Sequence, residues 1–107
     1  MTDAEAFSGK MGDLQKLRVT MVILISQENS KFLSCRRRVG GKEIEVMCAE
    51  RDLDEGDDPQ AAQKLLDILY LEDTALRQDM ARTEVEIHRM EAMMAKIDAD
   101  IQALCQS

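Results

Sequence analysis

In the C-terminal half of the chain, apolar residues recur at alternating steps of three and four. Counted in sevens, one series runs Leu66, Asp73, Met80, Ile87, Met94 and Ile101, and a second runs Leu69, Leu76, Thr83, Met90, Ile97 and Leu104. Ten of these twelve positions are apolar, with Asp73 and Thr83 the exceptions. A period of about 3.5 residues held over roughly six heptads is that of a left-handed coiled-coil seam. No Gly or Pro follows Pro59, so one long helix is predicted over residues 59–106. Asp58 is placed to cap its N-terminus and Pro59 to open its first turn, where a missing N–H costs nothing.

The N-terminal half carries a weaker version of the same pattern. Ile25, Phe32, Val39, Val46 and Leu53 repeat in sevens, and Leu14, Met21, Cys35 and Ala49 partly fill a second series. A first helical segment is therefore expected over about 11–53, with a turn at 54–58. Two features complicate it. Gly40-Gly41 inside a helix costs about 2 kcal/mol relative to alanines, and residues 36–47 could form a break, or a short β-hairpin around a Gly-Gly turn. Residues 19–25 are apolar all round a helix, which demands burial on more than one side. Val19, Val22, Ile23 and Ile25 are accordingly expected to contact another copy or a partner, with Leu65, Ile68 and Leu71 also lying off the seam.

Composition narrows the fold class. Of 107 residues, 45% are hydrophobic but only 3% aromatic, with one Pro and five Gly. Sheet proteins need more turn residues than this, so a single all-α domain over 1–107 is expected: two long amphipathic helices in an antiparallel hairpin, within an oligomeric bundle. The net charge is -7, which argues against a general nucleic-acid binder. Residues 57–107 hold eleven acids and five Lys/Arg, against ten and nine in residues 1–56. Glu72, Asp79, Glu86 and Asp100 flank the C-terminal seam on one side, and Arg77, Glu84, Glu91 and Asp98 on the other. Two such helices in parallel register would set acid against acid, whereas the more basic N-terminal half would complement them.

Candidate chemistry is thin. Glu84, His88 and Glu91 share a helix face, but bundle metal sites need more inward ligands than one His, and exposed salt bridges with neighbouring arginines account for them. Cys35, Cys48 and Cys105 lack CxxC spacing and a nearby His, which suits packing thiols in a reducing compartment. Arg36, Arg37, Arg38 and Lys42 form the one basic cluster, a candidate anion contact; it lacks P-loop spacing and interleaved aromatics, and could equally neutralise acids of the C-terminal helix or of a neighbouring copy. The acidic rows would also suit a nucleic-acid mimic. The Met-rich run Met80, Met90, Met93 and Met94 reads as seam with an adaptable surface. Residues 1–10 show no secretory leader and no stretch reaches the roughly 18 apolar residues of a membrane span, so a cytoplasmic location is expected.

The expected role is a non-enzymatic coiled-coil interaction protein: an assembly factor, scaffold or small helical chaperone that self-associates or binds a partner's helices. No cofactor, metal or small-molecule substrate is implied. In format the chain is similar to small helical chaperones and assembly factors of secretion systems or phages. Its seam residues (Leu66, Leu69, Leu76, Met80, Ile87, Met90, Met94, Ile97, Ile101, Leu104) are the expected interface.

Overall fold

The structure is a computed structural model that describes residues 2–106. Two helices account for nearly all of it, α1 over Asp3–Glu55 and α2 over Pro59–Gln106, and no strand occurs among the described residues. The chain is an antiparallel helical hairpin, as its periodicity predicts.

Both helix starts are written in local chemistry. At α1, the Glu5 amide donates to Thr2 Oγ1 and the Thr2 amide donates to Glu5 Oε2, each at 3.2 Å. This reciprocal capping box satisfies two amides that have no partner within the helix. It starts α1 at Asp3 instead of near Met11, a correction of eight residues. At α2, Asp58 Oδ1 accepts from the Ala61 amide at 3.1 Å and its carbonyl accepts from Ala62, the capping role expected for it. Between the helices the chain packs tightly: a Cβ placed on Gly56 would lie 2.5 Å from the Asp52 carbonyl oxygen, closer than any side chain tolerates. That contact reserves the position for glycine.

The break or β-hairpin considered at residues 36–47 does not occur. Helix α1 runs through Gly40 and Gly41 without interruption and with negative φ at both. The roughly 2 kcal/mol propensity cost is outweighed by side chains that only a continuous helix brings to the seam. Val39 is buried just before the glycines and Val46 packs on the core just after them; burying each aliphatic side chain yields about 1.5–3 kcal/mol.

Two compact units are distinguished, each pairing a stretch of α1 with a stretch of α2. The first comprises the residues up to Ser30 and those from Val85 onward. Its core is Met21, Met90 and Ile97, against which Leu14, Ile25, Met94 and Ile101 pack. The second comprises Lys31–Glu84. There Ala49, Leu66 and Leu69 are buried, with Val46 and Leu53 packed on them.

The second unit carries a polar layer where the heptad pattern lapses. Lys42 occupies a seam position of α1, its side chain only 14% exposed, and its ammonium donates to Glu72 at 2.8 Å and to Glu45 at 3.1 Å. On α2, Asp73 Oδ2 accepts from Arg77 Nε at 2.9 Å while the same guanidinium reaches Glu43 of α1 at 2.6 Å. The other Asp73 oxygen is buried without a hydrogen-bond partner, a cost of about 1–3 kcal/mol.

Candidate interaction surface

The ten residues assigned to the α2 seam are all buried or half-buried. Leu66, Leu69, Leu76, Ile87, Met90 and Ile97 are buried; Met80, Met94, Ile101 and Leu104 are half-buried. Met90, Met94, Ile97 and Ile101 pack with α1 residues in the first unit and Leu66 and Leu69 in the second, so the seam is occupied inside the chain. A functional surface has to be sought elsewhere.

The over-apolar stretch of α1 supplies one, in the first unit. Ile25 turns inward onto the Met21, Met90 and Ile97 core. Val19, Val22 and Ile23 point outward, with 59%, 46% and 52% of their surface exposed. Leu17 and Leu24, seven residues apart on another face, are also exposed. Residues 17–25 contain only two polar side chains, and both are engaged within the chain. Arg18 Nε donates to Asp98 Oδ1 at 2.7 Å, and the Thr20 hydroxyl donates to the Lys16 carbonyl at 3.1 Å. The exposed arc of the helix therefore presents mainly aliphatic carbon, with the Arg18 Nε–H and the Thr20 hydroxyl hydrogen both donated within the chain.

Val19, Val22 and Ile23 leave on the order of 250 Å² of apolar surface open on one face, and Leu17 and Leu24 add to a different one. Covering that face stabilises by on the order of 6 kcal/mol before the entropic costs of association. On α2 in the same unit, Val85 and Met93 are exposed as well, and the Met93 sulfur lies 3.5 Å from an Arg89 guanidinium nitrogen. Leu17 and Val85 were not singled out from the sequence, Leu24 only as part of the apolar run at 19–25, and Met93 only as part of the Met-rich seam. For the leucines the signal was present: they lie seven apart on the flank of a seam that another helix already fills.

The second unit exposes apolar side chains more sparsely, among them Leu33, Ile44 and Met47 on α1 and Leu65, Ile68 and Leu71 on α2. Tyr70 is half-exposed and its hydroxyl donates to Glu50 at 2.9 Å, which together with partial burial raises its pKa. Arg36, Arg37 and Arg38 are all exposed, and none forms an ion pair with a described residue. Lys42 does not belong with them. Its bonds to Glu72 and Glu45 raise its pKa and leave it unavailable to an outside anion. An open cleft of about 450 Å³ beside it, lined in part by Arg38, Glu45, Glu72 and Asp79, mixes both signs of charge and so selects no single ligand charge.

Reactive groups do not converge. Cys48 and Cys105 are exposed, Cys35 is half-buried, and all three are free thiols. Among the described residues no three His, Cys, Asp or Glu side chains are grouped to hold a metal ion, and Glu84, His88 and Glu91 are all exposed. Among the same residues no helix is long and apolar enough to cross a membrane. Comparison with protein-family models, curated proteins and solved structures found no match to this chain.

Proposed function

We propose that this chain is a non-enzymatic helical interaction protein, an assembly factor, scaffold or small helical chaperone, whose working surface is the apolar band at residues 17–24. The observation that carries this reading is the exposure of Val19, Val22 and Ile23 on a stretch of α1 that holds only two polar side chains. An apolar patch of a few hundred Å² on a small protein marks a contact surface. Helices are the fitting partner, since ridges on a helix pack into the grooves of another.

Sedimentation of the full chain at about 10 µM, with and without the exposed-site pair Val19→Glu and Ile23→Glu, tests the reading. The unsubstituted chain should sediment as an assembly with itself or with a helical partner, and the pair should release the monomer with its helicity retained. A chain that stays monomeric, binds no helix and behaves identically with the two glutamates would sink the proposal. A second reading, contact with nucleic acid, draws support from the exposed guanidiniums of Arg36–Arg38, which form no ion pair among the described residues. It predicts a salt-sensitive shift of DNA or RNA that is lost when all three are replaced by Ala.

A further inference from the structure

We infer that the outer face of α1 in the second unit receives a second copy of this chain, the two α1 segments running antiparallel and crossing beside Lys42. The contact belongs to the second unit, uses none of the residues of the band at 17–24, and stands or falls independently of it. Charge and packing, two separate observations, place the crossing at the same point.

Within the second unit the charge of α1 changes sign abruptly. Residues 31–42 hold Lys31, Arg36, Arg37, Arg38 and Lys42, and no acid. Residues 43–55 hold Glu43, Glu45, Glu50, Asp52, Asp54 and Glu55, with Arg51 the single base. The first stretch is therefore +5 and the second -5, with the switch between positions 42 and 43. An antiparallel second copy centred on the switch sets basic against acidic at both ends. A parallel copy in register would set like against like at both. The basic end is not discharged at home: Arg36, Arg37 and Arg38 are exposed and form no ion pair among the described residues. At the acidic end Glu45 and Glu50 each hold one partner within the chain, Lys42 and the Tyr70 hydroxyl, and both remain exposed.

The same segment carries a second seven-residue repeat that α2 does not cover. Leu33, Gly40 and Met47 form one series, and Arg37 and Ile44 form another offset by four. Steps of three and four keep these positions on one side of the helix, turned away from Val39 and Val46, which pack inward. Leu33, Ile44 and Met47 are 52%, 64% and 67% exposed and leave on the order of 300 Å² of apolar surface open on that side. Leu33, Arg36 and Arg37 line an open hollow of about 450 Å³, and Gly40, one turn on from Arg36, adds no side chain to close it. Four residues at this spacing form the hole that takes a knob from a facing helix. In a two-fold contact each residue meets the one at equal count beyond the axis. With the crossing at Lys42, Met47 of one copy stands over this hole in the other. Ile44 stands over Gly40, where a Cβ would meet nothing within 4 Å. Beside them Arg36 comes within reach of Glu50 of the other copy. The two Glu43 carboxylates approach each other at the axis, each already holding Arg77 of its own chain at 2.6 Å.

A stable interface buries about 800 Å² per partner, a little over half of it apolar, or roughly 450 Å². The apolar area here is smaller, so the dimer is of the weak class, forming at about 100 µM and largely dissociated at about 10 µM. The test uses two versions of the full chain mixed at that higher concentration, with circular dichroism verifying that each is helical. One keeps Cys48 and has Cys35 and Cys105 replaced by Ser; the other carries Ser34→Cys with all three native cysteines replaced by Ser. Positions 34 and 48 are exposed and lie at comparable counts on either side of Lys42. A short bismaleimide should link one of each version into a species of twice the chain mass, and should link neither version to itself. Self-linking would establish a parallel pair and overturn the arrangement. Arg36→Glu with Arg37→Glu, or Glu45→Lys with Glu50→Lys, introduced into both versions should each lower the linked yield about tenfold. Placing one reversal in each version should restore it. Val19→Glu with Ile23→Glu should leave the yield unchanged; its loss would show that association runs through the band, which overturns this inference and retains the reading of the band. A yield indifferent to both charge reversals, or no mixed link at all, overturns the inference as well. So does a monomer whose arginine face takes DNA, RNA or a different helical protein instead.

Discussion

Replacing Gly40 and Gly41 together by alanine should stabilise the protein, although both glycines sit inside a helix that packs against another. Each has ordinary helical backbone with negative φ, and a Cβ built on either meets nothing within 4 Å. The substitution therefore adds no clash and removes backbone freedom from the unfolded chain. At 0.8–1.0 kcal/mol per glycine in a helix interior, the pair should gain about 2 kcal/mol. For a chain of this size that corresponds to a rise in Tm of roughly 10 °C. A urea titration followed by far-UV circular dichroism gives the cleaner measure, at one fixed protein concentration because self-association shifts apparent stability. Gly56→Ala is the matched control. There the added Cβ would lie 2.5 Å from the Asp52 carbonyl oxygen, so the backbone must move and stability should fall by about 1–3 kcal/mol. The same chemical change should thus have opposite signs at the two places. A lowered urea midpoint for the Gly40/Gly41 variant would refute the reasoning, because it would mean that another backbone packs directly on these glycines.

Other consequences of the packing can be checked with similar measurements. Ile87→Asp places a charge at a buried seam position and should cost about 3–5 kcal/mol, read as a collapse of the urea midpoint; an unchanged transition would show the seam to be misplaced. Asp58→Ala removes the cap that holds the Ala61 amide and should cost about 1 kcal/mol. Asp73→Leu completes the apolar series and removes a buried oxygen without a partner, so a gain of about 1–2 kcal/mol is expected by the same titration. Tyr70 is the one tyrosine, so its ionisation can be followed directly at 295 nm. Its hydrogen bond to Glu50 raises the folded pKa above the ordinary 10.0, and bonds to Glu72 and Glu45 raise that of Lys42 above 10.5. A folded pKa above the unfolded one means that each contribution is fully present below the ordinary value. It is lost as pH rises through the folded pKa. Stability should therefore decline above about pH 10, less steeply in a Lys42→Met, Tyr70→Phe variant. The native phenol should also ionise at higher pH than the phenol in urea, and coincident midpoints would disprove the Tyr70–Glu50 bond.

Much of the fold was legible because helix signals are local. The seven-residue repeat of α2 names its buried face, and Asp58-Pro59 marks its start within a few residues. The Thr2–Glu5 capping box was equally local, a Thr with Glu three positions on, and was overlooked because no apolar series begins there. Gly40-Gly41 misled for the opposite reason. Their propensity is a local quantity, whereas the burial of Val39 and Val46 that overrides it depends on a helix more than twenty residues away in sequence. Lys42 shows the same limit. Grouped with Arg36–Arg38 by proximity in sequence, it is separated from them by helix geometry, which turns it into the seam toward Glu72 and leaves the arginines facing out.

The sequence by itself determined the two helices, their antiparallel pairing and the excess of apolar residues at 19–25, since these follow from side-chain periodicity and turn chemistry. Only the tertiary structure decided which apolar residues remained after pairing: Ile25 was taken into the core, while Val19, Val22 and Ile23 were left outside. It also decided which charges were neutralised, giving carboxylates to Lys42, Arg18 and Arg77 and, among the described residues, none to Arg36–Arg38. The physical reason is one of rotation. A helix turns each residue 100° from the last, so neighbours in sequence face different surroundings, and which surroundings they meet is fixed only when a second helix occupies one side.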